Sequence, residues 1–163
     1  MITLRLMEDT IADYTAMREW FLEPELQQWV WCDEKGEPPV SLERIIEKYG
    51  ERVKHPQDVF PYFILRDSEP IGFIQYYVKD AQTIGLDMWI GTVQERGRGY
   101  GSEALRQMVS IIHKKHPEVQ EIFIDPEKAN RRAVRCYEKA GFQIAHEFLG
   151  EENALCLMMT LRP

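Results

Sequence analysis

The chain has 163 residues and a mass of 19.2 kDa, with 44% hydrophobic and 29% charged residues. This is close to the globular average, so wholesale disorder and collagen-like repetition are excluded and one domain spanning 1–163 is expected. Lys and Arg number 20 and Asp and Glu 27, a formal charge of −7; that balance argues against a nucleic-acid partner, whose affinity rests on basic side chains neutralising phosphates, and suits a cationic one.

No apolar run approaches the roughly 20 residues that a membrane-spanning helix needs. The start, Met1-Ile2-Thr3-Leu4-Arg5, has no signal-peptide pattern, and Cys32, Cys136 and Cys156 are too widely spaced for a zinc pair or a Cys-x-x-Cys. A reduced, cytoplasmic protein, a monomer or homodimer, is expected.

Residues 3–7 predict a first strand, and 10–21 a helix with Thr10 as N-cap and Ile11, Tyr14 and Phe21 on one face. The Gly and Pro content of 32–40 predicts a loop. Ser41 then caps a helix whose Leu42, Ile45, Ile46, Tyr49 and Val53 keep helical spacing. Residues 60–65 and 71–78 read as strands joined by a hairpin turn at 66–70. A strand over 86–92, a glycine cluster, a helix from about 100 to 115 and a strand over 119–124 form a β-α-β unit, so these two strands should be parallel with a right-handed crossover. Asn130 caps a helix running to Ala140 and stopping at Gly141. Residues 142–148 and 155–161 close the chain as strands. The order is β-α-α-β-β-β-α-β-α-β-β, an α/β fold with a largely antiparallel mixed sheet.

The sharpest motif is Arg96-Gly97-Arg98-Gly99-Tyr100-Gly101-Ser102 at the strand–helix junction. Alternate glycines let a ligand approach the main chain, and the free amides of the helix start point at it with the positive dipole end behind them. This is an anion site suited to phosphate, with Arg96 and Arg98 adding charge. The alternative is a plain glycine-rich turn. Gly99-x-Gly101-x-x-Ala104 also fits the dinucleotide fingerprint, but that motif opens a series of β-α-β units, and four strands precede it here. No Gly-Lys-Ser/Thr occurs, so a Walker loop is absent.

Arg96-Gly97-Arg98-Gly99-Tyr100-Gly101 resembles the acyl-CoA pyrophosphate loop of the GNAT superfamily of N-acetyltransferases. The block Asp125-Pro126-x-x-x-Asn130-x-Arg132-Ala133-x-Arg135-Cys136-Tyr137-Glu138-Lys139-Ala140-Gly141-Phe142 resembles that superfamily's second motif. Together with Glu69-Pro70-Ile71-Gly72-Phe73-x-Gln75-x-Tyr77 and Gly85-Leu86-Asp87-x-Trp89-Ile90-Gly91, it is most similar to aminoglycoside 6′-N-acetyltransferases. The resemblance implies acetyl-CoA as co-substrate, held by the amides of 97–102 with Asn130 as a further contact, and a small cationic amine as acceptor. It departs at 79–85, several residues shorter than in those enzymes, where an acidic, aromatic-rich loop helps cover the sugar site. A polyamine, a siderophore precursor or a protein amine would also suit an acidic cleft.

Asp87 interrupts an apolar strand, and alternation sets it on the face of Trp89, opposite Met88 and Ile90. A carboxylate there can hold an ammonium and take its proton. Tyr137 alone would read as a core aromatic; the resemblance implies that its hydroxyl protonates the departing thiolate, and that an amide near Ile90 or Gly91 polarises the thioester carbonyl. A non-catalytic acyl-CoA-binding module would keep the glycine loop without a use for either group. Asp125, beyond the end of its strand, either faces a ligand or caps the turn at 126–130. Asn130 reads first as an N-cap and second as a cofactor contact. Trp29 and Trp31 would share one side of an extended segment and either floor a sugar site or belong to the core. Gln75 and Tyr77 enter as substrate contacts through the resemblance. The four histidines have no ligand spacing, so no metal is expected.

Overall fold

The computed structural model describes residues 1–30 and 41–162. The loop expected over 32–40 and Trp31 lie outside them. Its elements are β1 (Ile2–Leu6), α1 (Ile11–Phe21), α2 (Pro24–Trp29), α3 (Leu42–Lys54), β2 (Val59–Arg66), β3 (Glu69–Asp80), β4 (Thr83–Ile90), α4 (Tyr100–Lys115), β5 (Glu121–Ile124), α5 (Arg131–Lys139), β6 (Gln143–Leu149) and β7 (Leu155–Leu161). The seven strands run in the order β1-β2-β3-β4-β5-β7-β6, and every neighbouring pair is antiparallel except β4 and β5.

The sequence order holds with one correction. Pro24-Glu25-Leu26-Gln27-Gln28-Trp29 forms a short helix, α2, where no helix was expected and where Trp29 was read as the start of an extended segment. Pro24 at its first turn, where a missing N–H costs nothing, and the Glu23 carboxylate accepting from the Glu25 and Leu26 amides start it. Trp29 is therefore the last residue of a helix.

The helices sort by sheet face. Ala104, Leu105, Met108 and Ile112 of α4, with Tyr137 of α5, pack on Ile64, Ile74, Leu86, Ile124 and Met159. On the other face Met17, Trp20 and Phe21 of α1, Leu26 of α2, and Ile45, Tyr49 and Val53 of α3 pack on Phe63 and Phe73. Truncating one such buried side chain to Ala costs about 2–5 kcal/mol.

Two local features build the site. First, α1, α2, α3 and α5 each carry a side-chain N-cap, from Thr10, Glu23, Ser41 and Asn130, whereas α4 begins at Gly99 with no side-chain cap. Gly97 and Gly99 sit at φ +74° and +84°, a left-handed conformation that costs other residues roughly 1–2 kcal/mol. Second, the parallel pair is short. β4 and β5 pair only at Thr83–Glu121, Ile84–Ile122 and Gly85–Phe123. Past Ile124 the chain follows β7 instead, through Leu157 N–H to Pro126 O (2.9 Å) and Lys128 N–H to Leu155 O (2.8 Å). Residues 86–90 of β4 thus face an open gap.

Candidate active site

A cleft of about 1280 Å³ runs from the start of α4, through the gap between β4 and β5, to the C-terminal half of α3. It exceeds the roughly 300–1,000 Å³ of an ordinary small-ligand pocket. Of the residues singled out in the sequence, Trp29, Gln75, Asp87, Ile90, Arg96, Gly97, Gly99, Tyr100, Gly101, Ser102, Asp125, Asn130 and Tyr137 line it. Gly91, Arg98 and Tyr77 are not among its lining residues.

At the α4 end, Glu103 N–H is the first amide bonded back into the helix, to Gly99 O at 3.2 Å. The Tyr100, Gly101 and Ser102 amides ahead of it are the unpaired donors of a helix start. A Cβ added at Gly97 or Gly99 meets nothing within 4 Å, so the loop backbone is open to an approaching group. Gly101 differs: a Cβ there would stand 2.9 Å from Cys136 Sγ and 3.2 Å from Met88 Cε. It serves the close packing of α4 on α5 and β4, not ligand approach. The Ser102 hydroxyl donates to Cys136 O at 2.9 Å, which ties α4 to α5.

Arg96 corrects another expectation. Its guanidinium donates to Ile90 O (2.8 Å), Glu25 (3.1 Å) and Glu23 (3.0 Å), and its side chain is only 10% exposed. It ties α2 to the end of β4, and its charge is met within the protein by two carboxylates. Arg98 is half exposed, 3.9 Å from Glu95. Arg132 of α5 reaches Glu25 from across the cleft at 3.0 Å.

In the gap, the Gly91 amide is bonded to Ile71 O at 2.8 Å, so Gly91 is withdrawn as a donor to a ligand. Antiparallel alternation then directs the Met88 and Ile90 amides toward the edge β5 has left. Gly91 answers to packing: a Cβ there would fall 2.2 Å from the Trp20 ring.

Beyond the gap, Asp87 lies on the α3 face with Trp89, as alternation required. Gln75, directly opposite on β3, donates to Asp87 Oδ2 at 2.9 Å, and Arg52 donates to Gln75 Oε1 at 3.1 Å. Burial raises the Asp87 carboxyl above the usual carboxylate range, with Gln75 and the cations of Arg52 and Lys48 pulling it back. Burial and the nearby Asp87 charge lift Asp125 to about 6. Lys48 is lowered to about 8, by burial and by Arg52. Tyr137 is buried, and desolvation pushes its phenol well up, so it stays protonated. Tyr77 packs its ring over Gly85, outside the lining, within electrostatic reach of Asp87 and Asp125. Asn130 is an N-cap, accepting from Ala133 N–H at 3.3 Å. Cys136 lines the wall with its thiol raised by burial, an unreactive state.

Sequence reasoning missed Lys48 and Arg52. They stand at i and i+4 on α3, and nothing in the chain's pattern said that this helix would pack beside β4.

A helix start opened by left-handed glycines thus stands beside a parallel pair that parts after three residues. Residues 9–149 match the acetyltransferase (GNAT) domain family. The aminoglycoside N(6′)-acetyltransferase type 1 of Klebsiella pneumoniae is 34% identical over 154 residues, 87% of this chain and 74% of that protein, and its Serratia marcescens counterpart matches equally. A structure of AAC(6′)-Ib with ribostamycin and coenzyme A superposes with a TM-score of 0.84 at 29% identity, covering 99% of this chain and 93% of that one. The spermidine N-acetyltransferase of Vibrio cholerae, at 15% identity and a TM-score of 0.79 over 99% and 95% of the two chains, shares the fold. The chain belongs to the GNAT acetyltransferases, and is an acyltransferase.

Proposed function

We propose that the chain works as one acetyl-CoA-dependent domain that moves acetyl directly onto the 6′-amine of an aminoglycoside, in the cytoplasm. The observation that carries this reading is the cleft: an uncapped helix start at one end and the coupled carboxylates Asp87 and Asp125 at the other, joined through the gap between β4 and β5. The 34% identity to aminoglycoside N(6′)-acetyltransferases and the likeness to structures holding coenzyme A with ribostamycin or kanamycin support the same ligands here.

On this reading the amides of 97–102 donate to the pyrophosphate oxygens, and the pantetheine arm lies along the open edge of β4 as a missing strand would. The Ile90 amide donates to the thioester carbonyl oxygen and stabilises the negative charge that builds there. The 6′-nitrogen attacks the carbonyl carbon, and its proton passes to Asp87 directly or through one water. As the carbon–sulfur bond breaks, Tyr137 gives its phenolic proton to the thiolate. A free thiol of pKa about 8.5 leaves more readily protonated. Asp125 holds a second ammonium of the polycation, and Trp29 and Gln75 line the sugar's side of the cleft. Cys136, a thiol raised by burial, forms no acyl-enzyme.

Initial rates with both substrates varied test the scheme. Intersecting lines and thiol release that requires the amine are expected; parallel lines would contradict direct transfer.

A further inference from the structure

We propose that Arg52 is a positioning residue for Asp87, acting through the amide of Gln75 to aim the carboxylate at the acceptor amine and keep it ionised. This rests on the reading of Asp87 as the group that takes the amine's proton.

The geometry is a directed chain. An arginine has donors and no acceptor, so the Arg52 bond at 3.1 Å requires the Gln75 oxygen to face α3. The Gln75 nitrogen must then face β4, where it donates to Asp87 Oδ2 at 2.9 Å. Gln75 is buried and opposite Asp87 in the sheet register, which limits it to these two partners' direction. Arg52 itself is steadied over the Tyr49 ring, 5.0 Å from its centroid. Without Arg52 the amide is free to flip, and a flipped Gln75 would turn its oxygen on a carboxylate. Gln75 takes one acceptor site on Oδ2, and the carboxylate keeps its others for the amine.

The charges around Asp87 favour Arg52 for this task. Lys48 and Arg52 face it from α3, with Tyr49 beside them; Gln75 and Tyr77 face it from β3, Asp125 from the end of β5, and Tyr137 from α5. Asp125 opposes ionisation of Asp87. Lys48 supports it but is lowered to about 8, so its support is lost as pH rises through that value. A guanidinium keeps its charge throughout.

The test measures the pH dependence of kcat at saturating acetyl-CoA and aminoglycoside, with a carbon-13 titration of the Asp87 carboxyl, in the wild type, Arg52→Gln, Arg52→Lys and Gln75→Leu. Arg52→Gln should lower kcat about 10-fold and move the Asp87 titration up by about one pH unit, with KM for acetyl-CoA unchanged. Arg52→Lys should restore the titration and only part of kcat, since it supplies charge without the fixed fork. Gln75→Leu should lower kcat with Arg52 intact. An unshifted titration and unchanged kcat in Arg52→Gln would overturn the proposal. Asp87→Asn, run alongside, separates the two failures: inactive Asp87→Asn beside an unaffected Arg52→Gln removes only the positioning role, and fully active Asp87→Asn removes both.

Discussion

Asp87→Asn exchanges one carboxylate oxygen for an amide nitrogen at constant volume. The Asn side-chain oxygen can still accept from Gln75, so the bond seen at 2.9 Å is retained. Burial raises the Asp87 carboxyl, which means the charged form is the one the folded chain disfavours. The neutral isostere therefore removes a cost, and the melting temperature should fall by no more than about 2–4 °C, the equivalent of roughly 1 kcal/mol for a chain of this size, or rise. Catalysis should respond quite differently. A positioned base contributes about 10²–10⁴ in rate, so turnover should drop by that factor, or about 2.7–5.5 kcal/mol in the barrier. KM for acetyl-CoA should hold, because the glycine loop lies at the far end of the cleft. The assay is continuous thiol release with a melting curve on the same preparation. Turnover within threefold of the wild type would refute the role given to Asp87. A loss of activity that tracked a collapse of the melting temperature would refute it equally, by making the residue structural.

The glycines divide by cause. Gly99→Ala strains a residue at φ +84° by about 1–2 kcal/mol and sets a methyl in open space where the pyrophosphate approaches; KM for acetyl-CoA should rise at least 10-fold. Gly101→Ala and Gly91→Ala instead meet Cys136 at 2.9 Å and Trp20 at 2.2 Å; overpacking of about 1–3 kcal/mol should lower melting by several degrees, read by calorimetry. For pH, Asp125 is raised to about 6. The folded chain holds this proton more tightly than the unfolded one, so its stabilising contribution is full below about 4 and lost as pH rises through about 6. Binding of a polycation makes the opposite demand: titration calorimetry should show affinity falling as pH drops through about 6, and Asp125→Asn should flatten that dependence.

The legible part of the fold was local. Caps at Thr10, Ser41 and Asn130 and the apolar spacing of α3 are properties of neighbouring residues, and the elements they predict are present. The parallel crossover followed from strand–helix–strand order alone. What stayed hidden depends on tertiary partners. α2 owes its start to Pro24 and Glu23, while Arg96 binding Glu23 and Glu25 joins segments over 70 residues apart. The same contacts turned Arg96 from an expected phosphate ligand into a brace. Gly91 and Gly101 sit in a glycine-rich stretch whose members look equivalent in sequence, and only the packing of Trp20 and Cys136 tells them from Gly97 and Gly99. Asp87 was legible because a charge in an apolar strand needs a reason; Arg52 was not, because a basic residue on a polar helix face needs none.

The central claim is direct acetyl transfer to one amine, and regiochemistry tests it most closely. Acetyl-CoA turnover should be measured on an aminoglycoside bearing a 6′-amine and on its 6′-hydroxy analogue, with polyamines and peptides in parallel and the product's acylated nitrogen located by NMR. Direct transfer to the 6′-amine predicts rapid turnover of the 6′-amino compound, acetyl on the 6′-nitrogen, and little turnover of the 6′-hydroxy analogue. Equal rates on the two, or a polyamine outrunning every aminoglycoside, would contradict it.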